Sequence, residues 1–587
     1  MSRFVIETRY GFLGALPPID EAALAIGGWR LARAGPQARL FVQGDVEVRD
    51  ASRGWIIGQL FERGSARPAP LTLIESVASE GALETFCDEL LRDYWGRYVA
   101  VFPQDRALVR DPSGHLDCLV WHTRGGWAAG SELWPSALPA TTRPVDLAID
   151  WPAVAAVAAG ALHGYSDVPL KGVQAVLPGQ LKVVGSPDKD RLAWDPTAFA
   201  LRPHGDYTAS RQAVFDAVHE SIAAELTSGE PLLAEISGGL DSAIVASTMV
   251  AHGAGARTGF VHFHVDEPGG DERHYARAIS HHLGVELLEV VKPELRIDAA
   301  VLAEIPVGAR PSSNAADHHY DRVMARLVAQ SGARRILTGQ GGDMVFFQSP
   351  SRKITAEFWG RWLRRPRPDP LWRQLETAAR WNRCSVWSLI GEAARDVLMS
   401  KPPSDPHPWL ATPVAPAKRR QLESLIRAQV FHGASRRGTH ADLVHPLLSQ
   451  PVMEATLAAP VADLARGGRG RALARDAFAA QIPVLVRERR SKGVLTAYHG
   501  RMILRSLKTL RPFLLEGRLA QAQVLDRAFA EAMLDPDRLI YEGDYPRLFE
   551  TIVLEAYVRY WEGCIAAGAS AAGDSASLSA SQGSTTS

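Results

Sequence analysis

Cysteine is scarce in this chain. The four present among 587 residues, Cys87, Cys118, Cys384 and Cys564, lie far apart with no CxxC pair. That excludes a small disulfide-stapled module and fits free thiols in a reducing compartment. Net charge is absent as well: Lys+Arg 65 balance Asp+Glu 65, which argues against a histone-like or general nucleic-acid binder. Long apolar runs are also missing. The most apolar stretch, Pro152 to Leu162 (PAVAAVAAGAL), is well short of the ~20 residues of a membrane helix, and Met1 to Ala15 has no apolar core of the kind a secretory signal needs. The expectation is a cytoplasmic protein with no membrane span and no nucleic-acid partner.

What is present is length and pattern. At ~150 residues per domain the chain has room for two or three folded units. Residues 1–195 read as an α+β domain: short β-rich runs (Leu40–Val46, Gly54–Phe61, Tyr98–Phe102, Ala107–Val109, Leu119–His122, Leu181–Val184) separated by Gly, Pro and Asp turns, with helices at Gly81–Asp93 and Asp150–Ala161. Ser186–Tyr207, polar and Pro-containing, reads as a linker. Residues 205–565 begin with an alternation of helix and strand: Ser210–Leu226, Leu232–Ile236, Asp241–His252, Thr258–His264, Glu272–Leu283, Glu286–Val291, Ala316–Gln330 and Arg335–Thr338. Such an order predicts a parallel sheet covered on both faces. The region after ~350 is mostly helical by period. Residues 566–587, with one charged residue and almost no bulky apolar ones, read as a disordered tail.

The sharpest chemical signal is Ser237-Gly238-Gly239-Leu240-Asp241-Ser242, between an apolar strand and a helix. Two glycines permit a tight loop with converging N–H groups, the helix adds its positive end, and the serines add hydroxyl donors, which together suit pyrophosphate. Asp241 is a hard oxygen ligand suited to Mg²⁺. No GK[ST] follows, so this is not a Walker loop. A second segment, Thr338-Gly339-Gln340-Gly341-Gly342-Asp343, sits at the end of a later strand, the edge where open α/β sheets bind ligands. Asp343 could share a metal with Asp241.

The first motif resembles the PP-loop of the ATP pyrophosphatases, and the pair resembles the asparagine synthetase family. Other landmarks follow in order: His262-Phe263-His264-Val265 where that family holds adenine by backbone groups, Asp271-Glu272 as its "DE" helix start, His445-Pro446-Leu447-Leu448 as its "PFLD" turn, Arg475 as its "LR" arginine, and Lys492 in Arg490-Ser491-Lys492-Gly493 as its catalytic lysine. In the first half, Trp95–Ala100, Arg110–Gly114, Gly130–Leu133 and Leu177–Gln180 resemble the landmarks of class II glutamine amidotransferase domains. The implied architecture is a multidomain α/β protein, an Ntn-type amidotransferase-like domain followed by a PP-loop synthetase domain. Such amidotransferases need a cysteine after the initiator Met, and this chain has Ser2. A hydroxyl is far less ionised than a thiol near neutral pH, so glutaminase activity is expected to be lost.

The nitrogen must then come from ammonia, from an amine on the same small molecule, or from a peptide amino terminus. The sequences GQGGDMVF, HPLLSQPV and SKG look most like the family's lasso peptide cyclases. Those enzymes adenylate an Asp or Glu side chain of a leader-cleaved precursor and join it to the peptide's amine, using ATP and Mg²⁺. The resemblance implies a precursor peptide as substrate, with a leader-binding protein and a transglutaminase-like leader peptidase as partners. It makes Lys492, Asp241 and Asp343 the catalytic set and Asp241 and Asp343 the metal ligands. Ser237 to Ser242, Val265, Thr338 and Gly339 become the nucleotide site, and Gln340, Gly341 and Gly342 the substrate region. An ammonia-dependent asparagine synthetase, or another small-molecule amide or β-lactam synthetase, is the alternative. The Trp- and Arg-rich run Glu357–Leu410 is either a recognition surface or an amphipathic helical layer.

Overall fold

The structure is a computed structural model. It describes residues 3–8, 25, 27–35, 38–51, 53–69, 83–133, 142–203, 205–267, 269–293, 295–312, 314, 317–364, 368–398, 407–490, 493, 495–541 and 545–582.

Alternation of large apolar and other side chains builds two six-stranded antiparallel sheets in the first half. One has the order Val173–Ala175, Leu119–His122, Trp127–Gly130, Arg3–Thr8, Ala38–Gln43, Trp29–Ala34; the other Arg191–Leu192, Gln180–Val183, Ala107–Arg110, Tyr94–Phe102, Gly54–Glu62, Val48–Ala51. Because successive side chains point to opposite faces, Phe4, Ile6, Leu40 and Val42 meet Ile57, Val99, Val101 and Leu108 in a buried layer between the sheets. The outer face of the first sheet, Val5, Phe41 and Trp121, is covered by Leu554, Tyr557, Val558 and Trp561 of the last helix. The outer face of the second packs on helix Leu83–Asp93, and its core runs on without a break into the second half.

The second half carries a five-stranded parallel sheet in the order Leu287–Val291, Thr258–His264, Leu232–Glu235, Arg335–Leu337, Asp442–Val444. Strand order reverses at Leu232–Glu235, the topological switch where open α/β sheets open a crevice at their carboxyl ends. Helices Tyr207–Glu225, Leu240–Ala251, Arg273–Leu283 and His318–Ser331 supply the covering layers. The expected alternation is present, with element ends shifted by a few residues. The fifth strand, Asp442–Val444, falls in the region read as helical; at three residues it is too short to show a period.

Two sequence expectations need correcting. Ser186–Tyr207 is not a linker. It contains strand Arg191–Leu192 and helix Pro196–Ala200, and Trp194 is buried, its ring centroid 5.6 Å from that of Trp409 and its Nε1 donating to Glu454 at 2.8 Å. One indole outweighs the polar residues around it because it removes so much apolar surface from water. The tail read as disordered is helical through Gln582, as the continuation of the helix that starts at Tyr545. Alanine has the highest helix propensity, and a docked helix needs no new nucleus to extend. No helix among the described residues is long and apolar enough to cross a membrane.

A buried ion pair ties the halves together. Arg97 of the second antiparallel sheet reaches Glu225, at the end of helix Tyr207–Glu225, at 2.7 Å with both side chains under a tenth exposed. Removing one partner strands the other charge in low dielectric. Glu225→Ala should therefore lower unfolding free energy by about 3–5 kcal/mol, read as a shifted midpoint in urea denaturation.

Candidate functional site

Both glycine-rich segments leave adjacent parallel strands. Leu232↔Arg335 and Ala234↔Leu337 are in register, so Ser237 to Ser242 and Thr338 to Asp343 emerge side by side at the switch. The first loop turns at Gly238, whose φ of +81° is left-handed and favours a residue without Cβ. It is clasped by its own hydroxyls: Ser237 N donates to Ser242 Oγ at 3.1 Å, the two Oγ atoms lie 3.0 Å apart, and Gly239 N donates to Ser237 Oγ at 3.4 Å. Helix Leu240–Ala251 begins there, with Asp241 in its first turn. The loops touch. A Cβ on Gly339 would lie 2.5 Å from Ser242 N, and one on Gly342 would lie 2.5 Å from Asp241 Cγ. Asp343, next in the chain, is exposed, and Val265 is buried at the carboxyl end of its strand.

Thr338 continues the site inward. Its Oγ1 lies 2.7 Å from His445 Nδ1, and His445 Nε2 is 2.9 Å from Phe431 O. With Nε2–H donating to that carbonyl, Nδ1 accepts from the threonine. The HPLL turn is thus hydrogen-bonded to the second motif. Beyond it the ring of His432 stands 5.3 Å from His445, and that of His115 stands 5.2 Å from His432. Burial lowers the pKa of all three, His445 to about 4.

Residues beyond the expected set close the cradle. Arg489 donates to Gly238 O at 3.0 Å, pairs with Glu272 and lies 3.9 Å over the Tyr275 ring. Arg471 donates to Asp241 Oδ2 at 2.5 Å. Arg475 donates from Nε to Gly470 O at 3.0 Å and also to Arg487 O, and its pKa falls to about 10, mainly by burial with Arg471 and Arg469 adding repulsion. Arg471 and Arg489 were missed because each sits in a basic run, RGRALAR or RERRSK, where nothing in composition separates a site arginine from a solvated one. Lys492 and Ser2 lie outside the described residues.

A family model, Asparagine synthase, matches residues 213–561, more than half of the 587. The chain belongs to the asparagine synthase family. No curated protein matches it. Family membership carries ATP-dependent ligase chemistry with ATP and Mg²⁺. The residues fit both. The clasped loop and the amino end of a 12-residue helix present N–H and hydroxyl donors to a polyphosphate. Two carboxylates at adjoining loops suit an ion held by one or two protein oxygens plus phosphates. Among the described residues no group of three or more His, Cys, Asp or Glu forms a self-sufficient metal cage.

The asparagine synthase half also borders a cavity of about 720 Å³ shared with the antiparallel sheets, lined among others by Arg3, Gln59, Ser131, Glu132, Arg310 and His432. Burial raises the Glu132 carboxyl to about 7 against the lowering effect of Arg3. Three cysteines are the opposite of activated thiols: burial pushes Cys87, Cys118 and Cys564 upward, Cys87 to about 12. In the Trp- and Arg-rich run the helices Ile354–Arg364, Pro368–Trp381 and Val386–Leu398 expose Trp359, Trp372 and Trp387 at 40%, 47% and 73%, while Trp409 is buried. The run is thus part surface, part core.

Two outcomes follow. Gly342→Ala pushes against the Asp241 side chain, and a shift of about 1 Å there should cost about a hundredfold in ATP-dependent turnover, with the circular dichroism spectrum unchanged. The three histidines are held neutral when folded but protonate near 6.5 when unfolded. The unfolded state therefore binds more protons, and stability falls as pH drops from about 6.5 towards 4. Denaturation midpoints across that range should decline, less steeply in His445→Gln.

Proposed function

We propose that this chain is a lasso peptide cyclase: it adenylates an Asp or Glu side chain of a leader-cleaved peptide, then joins that carbonyl to the peptide's amino-terminal amine as a macrolactam, releasing AMP and pyrophosphate. The observation that carries the reading is Gln340, between two glycines at the switch, with a buried Oε1 that has no hydrogen-bond partner among the described residues. An amide cannot act as a base. An α-amino group, with pKa near ~8, is already partly neutral near pH 7 and needs little help. Mg²⁺, held by Asp241 and Asp343, would neutralise the phosphates. The loop of Ser237 to Ser242 positions the polyphosphate, and Lys492 is assigned to charge on the phosphates and on the tetrahedral adduct. Holding both peptide ends replaces a bimolecular encounter. The exposed Trp372 and Trp387, 6.5 Å apart, supply a surface for such a peptide. A leader-binding protein and a transglutaminase-like peptidase would supply it.

The same reading makes the first half an Ntn-type amidotransferase-like domain without glutaminase activity. Ser2 stands where the thiol is needed, and the cysteines of this half, Cys87 and Cys118, are buried with their pKa raised. A second reading, an ammonia-dependent asparagine synthetase or other small-molecule amide or β-lactam synthetase, draws on the cavity, whose 720 Å³ is of small-molecule size.

Incubation with a candidate core peptide, ATP and Mg²⁺ should give AMP and a product lighter by one water, and Asp241→Asn should abolish both. ADP as product, or AMP release that needs aspartate and ammonium in place of peptide, would overturn the reading.

A further inference from the structure

The Arg471–Asp241 pair is built into the backbone. Arg471 has φ +59° and ψ 30° at the cap of helix Ala472–Ala477, a left-handed conformation that a side-chain-bearing residue keeps only when its surroundings enforce it. Those surroundings are visible. Arg471 N donates to Phe347 O at 3.2 Å, and Phe347 is itself left-handed at φ +62°. Gly470 lies so close to the same segment that a Cβ on it would stand 2.3 Å from Gln348 O. Arg475 fixes the strap from the other side through Gly470 O at 3.0 Å. Four residues before Phe347 is Asp343, so one strap reaches from the second motif to the aspartate of the first. The side chains of Arg471 and Asp241 are 14% and 16% exposed.

A magnesium ion binds a carboxylate oxygen at about 2.1 Å, and the guanidinium nitrogen is 2.5 Å from Oδ2. Two cations on one carboxylate would then stand within a few ångströms of each other in a cradle that already holds Arg475 and Arg489. The other charged groups around it include Glu272, paired with Arg489, the exposed Asp343, and Arg469, which acts on Arg475 and pairs with Asp476 and Glu488. A divalent ion added to these pairs tips the cradle to excess positive charge until phosphates arrive.

We propose that Arg471 is a positioning residue that competes with the divalent cation for Asp241, so that the metal enters only together with the polyphosphate whose charge lets both cations stay. Free metal is thereby kept off the site, and Asp241 is held oriented for the metal–nucleotide complex. The inference rests on Asp241 as a metal ligand and is independent of which carboxylate and amine react.

The test is Mn²⁺ binding to the full-length protein, followed by electron paramagnetic resonance, with and without an ATP analogue that resists cleavage between the α and β phosphates. Wild type should bind Mn²⁺ alone at least tenfold more weakly than with the analogue. Arg471→Gln should tighten binding of Mn²⁺ alone at least tenfold and shrink the coupling to nucleotide. Adding Asp241→Asn should remove the gain, and Arg471→Lys, which keeps the charge without the fork, should fall between. Affinity for Mn²⁺ alone within twofold of wild type in Arg471→Gln, or a gain that survives Asp241→Asn, overturns the proposal. Circular dichroism and melting curves check folding. Should the Gln variant fail to fold, the Lys variant decides: a gain of a few fold supports the competition, and none overturns it. Failure of peptide cyclisation leaves this outcome untouched, so the two readings fail separately.

Discussion

The absence of two side chains at the sheet's switch point governs the rest of the site. Gly339 and Gly342 let the second loop lie directly on Ser242 and Asp241, where any Cβ would meet them at 2.5 Å. Adjacent parallel strands in register bring the loops to one edge, and the glycines let them close. Once closed, Asp241 and the neighbouring, exposed Asp343 put two carboxylates in one region, where like charges repel unless cations attend them. Arg471 attends the first directly. Arg489 and Glu272 lock the loop's other shoulder at Gly238. The site is therefore a balance of charges around a steric contact, and each arginine is held by backbone carbonyls or carboxylates and not left to solvent.

That balance depends on the first half of the molecule more than a separable accessory domain would allow. Arg97 crosses to Glu225, and Arg63 crosses to Glu454 at 2.5 Å, the same carboxylate that accepts from Trp194. The last helix returns to cover the first antiparallel sheet. The buried imidazoles of His115, His432 and His445 span the boundary, from a residue beside Arg97 to one bonded to Thr338. Interfaces between domains that move are usually smaller and more polar. Here one apolar core runs through both halves, so loss of any chemistry in the first half would not release it from its role in holding the second.

Much of this was readable from residues, for identifiable reasons. The parallel units were, because buried strands such as Leu232–Glu235 and Thr258–His264 are apolar runs bounded by turn signals, and the two glycine motifs mark their ends. The pairing of Asp241 with the second motif was also inferable. What escaped lacks a local signal. Strand Asp442–Val444 exists because it completes the sheet beside Arg335–Leu337, a tertiary cause with no periodic trace. Trp194 anchors a strap whose other residues are polar, so composition points the wrong way. The alanine- and serine-rich end reads as disorder by the same measure, while its helix follows from the docked turns before it. Arg471 and Arg489 differ from neighbouring arginines only in what the fold places opposite them.

The neutrality of the chain takes its meaning from that last point. With 65 cations and 65 anions, the chain has no net charge to draw a polyanion in from a distance as a basic protein's would. Attraction must instead come from short-range arrangement, and the positive groups at the switch are partly buried: Arg471 and Arg489 are 14% and 8% exposed. Buried cations are screened little by salt, so they retain their pull on phosphates at cellular ionic strength, whereas surface lysines would lose most of theirs. The cost is that each must be compensated while no phosphate is near, and Asp241 and Glu272 do so. Each buried arginine at the switch is thus matched by a carboxylate or a backbone carbonyl, so a neutral composition and a cradle rich in cations occur in the same molecule.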